Sequence, residues 1–167
     1  MKRKAFIGAF LIMVFLISQS ARAQATGSLS SRSGHWNLGG AIGLTFDPDL
    51  VGVELGVDYY VTNEVAVGPL IIAAMNGEDN IWGLSGQAKY SARLAENDVV
   101  RPYGHVGIGF INLDLDHDRK TRTEFLFPIG GGFEFELNDD MTLDVNALFI
   151  ISKITSAGLF VGIKYLF

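Results

Sequence analysis

The chain has 167 residues, no cysteine and a formal net charge of −5 at pH 7. Without cysteine it has no disulfide, no thiolate metal site and no site for lipoprotein acylation. The acidic balance argues against a nucleic-acid partner, because such partners bind a basic surface.

The N-terminal residues have the pattern of a secretory signal. A basic start, Lys2-Arg3-Lys4, precedes an apolar run over residues 5–17, and Ala21-Arg22-Ala23 matches the small-x-small pattern of a signal-peptidase site. The run is shorter than a membrane-spanning helix of about 20 residues, so a transmembrane anchor is the weaker alternative. We predict a signal peptide at 1–23, a short N-terminal segment at 24–34 and one domain at 35–167. The mature chain then keeps nine Lys and Arg against eighteen Asp and Glu, a balance of −9.

Eight segments of the mature chain alternate apolar residues with polar residues or glycine, which is the side-chain period of a β-strand. They cover about residues 35–46, 50–61, 65–75, 81–94, 99–113, 123–137, 142–151 and 157–167. Turn-forming residues such as Asp47-Pro48-Asp49 and Asn138-Asp139-Asp140 separate them. Pro69 in the third segment predicts a bulge or a local irregularity, because proline cannot donate a ladder hydrogen bond.

The two faces of these segments differ, and the difference predicts a membrane barrel. One face is apolar, with aromatic residues near the segment ends, as a lipid-facing surface requires. The other face carries many glycines and isolated charges, which suit a crowded interior better than a water-exposed exterior. A soluble up-and-down barrel is the alternative that this glycine-rich face disfavours. We predict an all-β fold, an eight-stranded antiparallel up-and-down transmembrane β-barrel, since hydrocarbon tolerates no unpaired sheet edge.

Three motifs resemble the small outer-membrane β-barrel family, which contains OmpX-type proteins and the barrel domain of OmpA. They are Arg101–Phe110, Phe127–Phe135 and the C-terminal Tyr165-Leu166-Phe167. Tyr165 and Phe167 are similar to the terminal signal that the outer-membrane assembly machinery reads. The resemblance implies a Gram-negative outer-membrane protein that is exported through the periplasm, with both termini on the periplasmic side. It also implies a monomer without a cofactor, whose partners are outer-membrane lipid, lipopolysaccharide and the assembly machinery.

Charged residues occur singly on the inward face of several segments. The candidate lumen residues are Glu54, Asp58, Lys89, Arg93, Arg101, His105, Glu134, Asp144 and Lys164. Eight strands enclose room only for side chains, so opposite charges are expected to meet across the lumen. Unpaired charge is costly there, and a plug of paired charges therefore needs no further function. The alternative is a gate in which Arg or Lys changes its Glu partner and opens a small pore for ions or small solutes.

The residues that follow the three histidines argue against a catalytic site. Some barrels of this size act on lipid A, and the deacylase among them uses a His and a Ser two residues apart. Here the positions two residues after His35, His105 and His117 hold Asn, Gly and Arg. The dyad spacing is missing, and the inward His105 is expected to be a hydrogen-bonded lumen residue. We predict a non-enzymatic protein with a structural or surface-interaction role and a narrow, charge-plugged lumen; a lipid A-modifying enzyme is the least favoured alternative.

The longest loop contains a weak candidate metal site. Asp114, Asp116 and Asp118 occupy positions 1, 3 and 5 of an EF-hand pattern. Position 6 is Arg119 instead of glycine, and position 12 is Phe125 instead of a carboxylate. A solvated acidic loop is therefore favoured over weak divalent binding, and no metal is predicted.

Overall fold

The computed structural model describes residues 31–46, 49–75, 80–92, 99–114, 122–153 and 155–167. The predicted signal peptide at 1–23 lies outside these residues. The strands are β1 (Trp36–Phe46), β2 (Leu50–Tyr60), β3 (Val65–Met75), β4 (Asn80–Ser91), β5 (Val100–Asp114), β6 (Arg122–Glu136), β7 (Met141–Ile151) and β8 (Ser156–Leu166).

Each strand pairs antiparallel with its neighbours in the sequence, and β8 pairs with β1, so the sheet closes into a barrel. The predicted eight-stranded antiparallel barrel is confirmed. No strand end differs from its predicted position by more than three residues, because the period-two pattern stops where the turn residues begin. Within the described ranges, no helix is long and apolar enough to span a membrane.

The strands are staggered by ten residues around the barrel. The stagger is found by following paired residues once around the barrel. The path starts at Trp36 on β1 and returns to β1 at Phe46, ten residues further along. It passes through Tyr59, Val67, Ala88, Val106, Ile129, Phe149 and Ala157. With a rise of about 3.3 Å per residue and strands about 4.8 Å apart, this stagger tilts the strands by about 40°. That tilt is normal for a small barrel whose interior is filled by side chains.

Side chains alternate between the lumen and an apolar outer surface. Ile42, Ile108 and Phe125 on the outer face are at least 60% exposed, although each is large and apolar. Aromatic pairs lie near both ends, with Trp36 and Tyr59 at the end that carries the termini and Phe110 and Phe125 at the opposite end. An exposed apolar belt of this kind is stable only when lipid covers it. We name the two ends of the barrel the terminal end and the loop end.

The ladder between β2 and β3 is interrupted opposite Pro69. The pairs Gly56–Leu70 and Tyr59–Val67 flank the interruption in the same register, so no residue is inserted and the strand has no bulge. On its other side Pro69 pairs with Gly86 in an unbroken ladder. The missing proline N–H therefore causes a local gap in the pairing and leaves the path of the strand unchanged.

The interior has two layers. The layer toward the loop end is an apolar plug, formed by Ala41, Leu50, Leu70, Ile72, Ala74, Ile81, Ile111, Leu113, Leu126, Leu148, Ile150 and Phe160. Polar and charged side chains fill the layer toward the terminal end. The lumen was predicted to be narrow and plugged by paired charges; in the structure these charges occupy its terminal half.

Phe160 is the largest side chain of the apolar plug, and glycines make room for its ring. A Cβ atom at Gly43, Gly52 or Gly158 would lie 2.5 to 2.8 Å from ring atoms of Phe160. These glycines are on β1, β2 and β8, next to one another around the barrel. The glycines on the inward face thus include a group that accommodates one aromatic side chain across three strands.

Candidate functional site

The lumen charge network occupies the terminal half of the barrel. We define it as Arg32, Asp58, Lys89, Arg101, Glu134, Glu136, Asp144 and Lys164. Apart from Arg32, its members lie at the ends of strands that reach the terminal end, on the inward-facing positions. The alternation of each strand therefore aims them at a common space.

Glu134 is the centre of this network and is fully buried. Its Oε2 lies 2.7 Å from Arg32 Nη1, and its Oε1 lies 3.2 Å from Lys89 Nζ and 3.1 Å from Lys164 Nζ. One carboxylate on β6 thus receives cations from β4, β8 and the residues before β1. Such charge-assisted hydrogen bonds offset the cost of burying each ion.

The two lysines connect Glu134 to further carboxylates. Lys89 also pairs with Asp58, and Lys164 Nζ lies 3.1 Å from Asp144 Oδ1. The lysine ammonium groups contact aromatic rings as well: Lys164 Nζ is 4.6 Å from the centre of the Tyr103 ring. A cation over a ring face is stabilised by the ring's quadrupole, more so away from water. The result is a continuous chain of alternating charge across the lumen.

Arg32 enters the network from outside the strands, in a segment predicted to precede the barrel. Its Nη1 donates to the Tyr60 hydroxyl at 3.0 Å, and its Nη2 lies 3.2 Å from Glu136 Oε1. The Asn63 side-chain oxygen accepts hydrogen bonds from the backbone N–H groups of Arg32 and Ser33, at 2.9 and 3.1 Å. These contacts hold the segment against the terminal end of the barrel.

The sequence gives little sign of this role. Arg32 lies in a Ser-Arg-Ser-Gly stretch without strand period, and Gly34 then turns the chain into β1 with a φ of 83°. Burial alone would lower the pKa of Arg32, but contact with Glu134 raises it overall above its usual value. One indication is present in the sequence: Arg32 is a basic residue four positions before the start of β1. Inward carboxylates lie at the same end of the barrel.

Replacing Arg32 tests how much this contact stabilises the barrel. We expect Arg32→Ala to lower the free energy of unfolding by about 1–3 kcal/mol, because Glu134 and Glu136 lose a charged donor but keep other cations. Arg32→Lys is expected to lose an intermediate amount of stability. A lysine ammonium keeps the charge but lacks the planar set of N–H donors of the arginine guanidinium. Urea unfolding of the refolded protein measures both. Ser33→Ala, at an exposed neighbour, is the control; equal effects of Ser33→Ala and Arg32→Ala would contradict the assignment.

The remaining predicted lumen residues are placed as follows. Arg101 is buried, and its Nη2 lies 2.8 Å from Glu136 Oε1. His105 Nδ1 is 2.7 Å from Gln87 Oε1.

Glu54 was expected to meet a Lys or Arg, but its contact is with the amide of Asn146, whose Nδ2 donates to Glu54 Oε2 at 3.1 Å. The predicted Arg93 lies outside the described residues. Gln87, Asn146 and Arg32 were not among the predicted site residues.

Comparison with known proteins agrees with this architecture. Residues 11–164 match the family model described as outer membrane protein beta-barrel domain. This chain belongs to that family. A search of curated proteins found no match. As a member of the family, the protein is located in the bacterial outer membrane, and its apolar belt faces lipid.

Solved outer-membrane barrels have the same fold. The N-terminal barrel domain of OprF from Pseudomonas aeruginosa has 16% identity and a TM-score of 0.68, covering 83% of this chain and 100% of that one. Neisserial surface protein A has 14% identity and a TM-score of 0.64, covering 81% and 98%. The outer membrane enzyme PagL has 15% identity and a TM-score of 0.50, covering 77% and 98%. At these identities the similarity shows the fold alone.

The described residues of this family member do not form a metal centre. Asp114 ends β5 and is exposed at the loop end, while Asp116 and Asp118 lie outside the described residues. Across the described ranges, no group of three or more His, Asp or Glu residues is arranged to hold a metal ion. The expectation of a solvated acidic loop that holds no metal therefore stays a prediction.

Proposed function

We propose that this outer-membrane barrel is a closed, non-enzymatic protein with a structural or surface-interaction role. The observation that carries the proposal is that two unlike layers fill the lumen in series. Buried apolar side chains occupy the half toward the loop end, and paired charges occupy the half toward the terminal end. An ion crossing the barrel would have to displace both layers.

The apolar plug argues against the gated-pore alternative. A change of partners among Lys89, Lys164 and their carboxylates would rearrange the terminal half only. Leu126 and Phe160 are almost fully buried in the other half, and neither offers a polar atom to a passing ion. Moving a charge through an apolar layer without compensation is strongly unfavourable.

The position of His105 supports a non-enzymatic role. Its ring faces the lumen and contacts the Gln87 side chain, whereas a lipid substrate would approach the outer face of the barrel. A general base needs to be within hydrogen-bond reach of the group that it deprotonates. Purified lipid A hydrolysed by the refolded protein would contradict the proposal.

The strand bounds favour a role close to the membrane surface. At the loop end, the connections after β1, β3, β5 and β7 have three, four, seven and four residues. A connection of three to seven residues is too short to form a large surface domain, and the longest joins β5 to β6. We therefore propose that surface contacts, including those to lipopolysaccharide, are made at the rim around the β5–β6 connection.

Single-channel recording in a planar bilayer tests the closed lumen. We expect the refolded mature chain to insert without conductance steps, and heat-modifiable gel mobility confirms that it is folded. Lys164→Ala, which loosens the charged layer, is expected to remain silent because the apolar plug is intact. Reproducible steps from the unmodified protein would contradict the proposal and favour the gated pore.

A further inference from the structure

One pair of buried lumen side chains has two oxygens that lack a hydrogen-bond donor among the described residues. Glu54 on β2 and Asn146 on β7 are 7% and 5% exposed. Asn146 Nδ2 donates to Glu54 Oε2 at 3.1 Å. The other oxygens of the pair, Glu54 Oε1 and Asn146 Oδ1, are the two without a donor. A buried acceptor without a donor is costly, so one further hydrogen between these two groups would stabilise the barrel.

The orientation of the Asn146 amide is fixed by its neighbours. Its Nδ2 donates to Asp144 Oδ2 at 2.9 Å as well as to Glu54. Turning the amide round would place its oxygen against two carboxylate oxygens, so the nitrogen keeps this position. The carboxyl of Glu54 and the amide of Asn146 are thus already joined through one polar atom of each. The second polar atom of each is the oxygen that lacks a donor.

The same amide nitrogen brings two carboxyl groups together. Glu54 and Asp144 both accept from Asn146 Nδ2 and therefore share one site. Two carboxylates that share a site do not both ionise readily, because the two negative charges repel each other. Asp144 has a cation of its own, since its Oδ1 lies 3.1 Å from Lys164 Nζ. Glu54 is therefore the member of the pair that is expected to hold a proton.

The nearby ammonium groups have other partners. A cavity of about 40 Å³ beside Glu54 is also lined by Lys89 and Lys164. Each of these lysines pairs with two other carboxylates of the lumen charge network. Among the described residues, neither lysine forms an ion pair with Glu54. The further polar groups that line the cavity are Asp58 on β2, Gln87 on β4, Tyr103 and His105 on β5, and Asp144 and Asn146 on β7. The strands β1 and β3 contribute Gly39, Gly40, Ala41 and Leu70.

We propose that Glu54 is held as a neutral carboxylic acid whose Oε1–H donates to Asn146 Oδ1. Together with the Nδ2 contact, this forms a ring of two hydrogen bonds and gives both oxygens a partner. The bound proton links β2 to β7 across β8 and β1, the two strands between them. Ionisation of Glu54 turns the donor at Oε1 into a second acceptor beside Oδ1, which breaks the link. The stability of the barrel therefore depends on pH through this one side chain.

Infrared spectroscopy tests the protonation state directly. A protonated carboxyl group has a C=O stretch above the amide I band, whereas an ionised carboxylate absorbs below it. At about pH 6, where a solvated glutamic acid is ionised, we expect the refolded protein to show this band. Glu54→Gln is expected to lack it, and Asp139→Asn, in the exposed turn between β6 and β7, is expected to keep it. Absence of the band from the unmodified protein, or its presence in Glu54→Gln, would overturn the proposal.

Urea unfolding at several pH values measures the contribution of the proton to stability. Unfolding ionises Glu54, so the unmodified protein releases one proton that Glu54→Gln does not release. Its stability is expected to fall as pH rises, until Glu54 ionises in the folded barrel as well. We expect the ratio of the unfolding constants, unmodified protein to Glu54→Gln, to increase about tenfold between about pH 5.5 and 6.5. His105 and the paired carboxylates are present in both proteins and cancel in this ratio. A ratio that does not change with pH would overturn the proposal.

Two variants distinguish a hydrogen-bonded acid from a carboxylate held by the lysines. Glu54→Gln has an amide N–H in place of the acid O–H, so it keeps a donor to Asn146 Oδ1. We expect it to be at least as stable as the unmodified protein at neutral pH. An increase of its unfolding constant by about tenfold or more would indicate an ionised, ion-paired Glu54 and would overturn the proposal. Asn146→Ala removes both hydrogen bonds of the ring, so the Glu54 C=O band is expected to shift or disappear; an unchanged band would also overturn it.

Discussion

Glu134→Gln is expected to lower the free energy of unfolding by about 3–5 kcal/mol, the effect of breaking a buried ion pair by removing one partner. Glu134 accepts from Arg32, Lys89 and Lys164 at 2.7 to 3.2 Å and is fully buried. A glutamine of the same shape keeps one acceptor oxygen and turns an N–H group toward a cation. Urea unfolding of the refolded protein, followed by tryptophan fluorescence, measures the loss.

Two further variants make this result interpretable. Lys153→Gln removes an ammonium that is 79% exposed from an ion pair with Glu124, whose side chain is 8% exposed. We expect a loss of at most about 1 kcal/mol, because the backbone N–H of residue 153 still donates to the carboxylate. Glu134→Asp keeps the charge on a shorter side chain and is expected to lose less stability than Glu134→Gln. A loss below about 1 kcal/mol in Glu134→Gln would show that the network does not depend on its central carboxylate.

Phe160→Ala is expected to destabilise the barrel by about 3–5 kcal/mol, because it leaves a cavity in the apolar plug. The ring is almost fully buried and lies against glycines on three adjacent strands. Phe149→Ala is the matched control, since the same truncation on the lipid-facing surface leaves space that lipid fills. Urea unfolding of both variants gives the difference.

A second substitution tests whether the glycines make room for the Phe160 ring. Gly52→Ala alone would place a Cβ atom 2.8 Å from Phe160 Cε1 and is expected to cost about 1–3 kcal/mol. In the Phe160→Ala background this clash is absent. We expect the double variant to be more stable than the sum of the single effects by at least about 1 kcal/mol. Additive effects would contradict the packing described for this layer.

The strands and their faces could be predicted from the sequence because they depend on local pattern. Alternation along β1, β2 and β8 identifies the lipid-facing residues, and the Asn- and Asp-rich turns set the strand ends. The stagger could not be predicted, since it depends on how eight hairpin registers combine around a closed ring.

The lumen charge network could be predicted only in part. Strand periodicity shows neither which groups a long side chain reaches nor what residues outside the strands contribute. Strand parity places Lys89, Glu134 and Lys164 in the lumen, but parity does not determine which long side chain meets which carboxylate. Arg32 acts from outside any strand, so periodicity gives no sign of it. The apolar plug was missed because isolated inward Leu and Ile residues are spread over six strands, β2 to β7, and come together only when the ring closes.

The chain of charges has a consequence for how the barrel closes. Asp58, Lys89, Glu134 and Lys164 lie on β2, β4, β6 and β8, strands that share no backbone hydrogen bonds with one another. Each of these contacts joins strands that are two apart in the barrel, whereas the ladders join only adjacent strands. Contacts that cross the β8–β1 seam include Asn146 on β7 with Glu54 on β2, and Arg32, which precedes β1, with Glu134 on β6. Closure of the β8–β1 seam therefore completes these two contacts, and a sheet that has not yet closed lacks them.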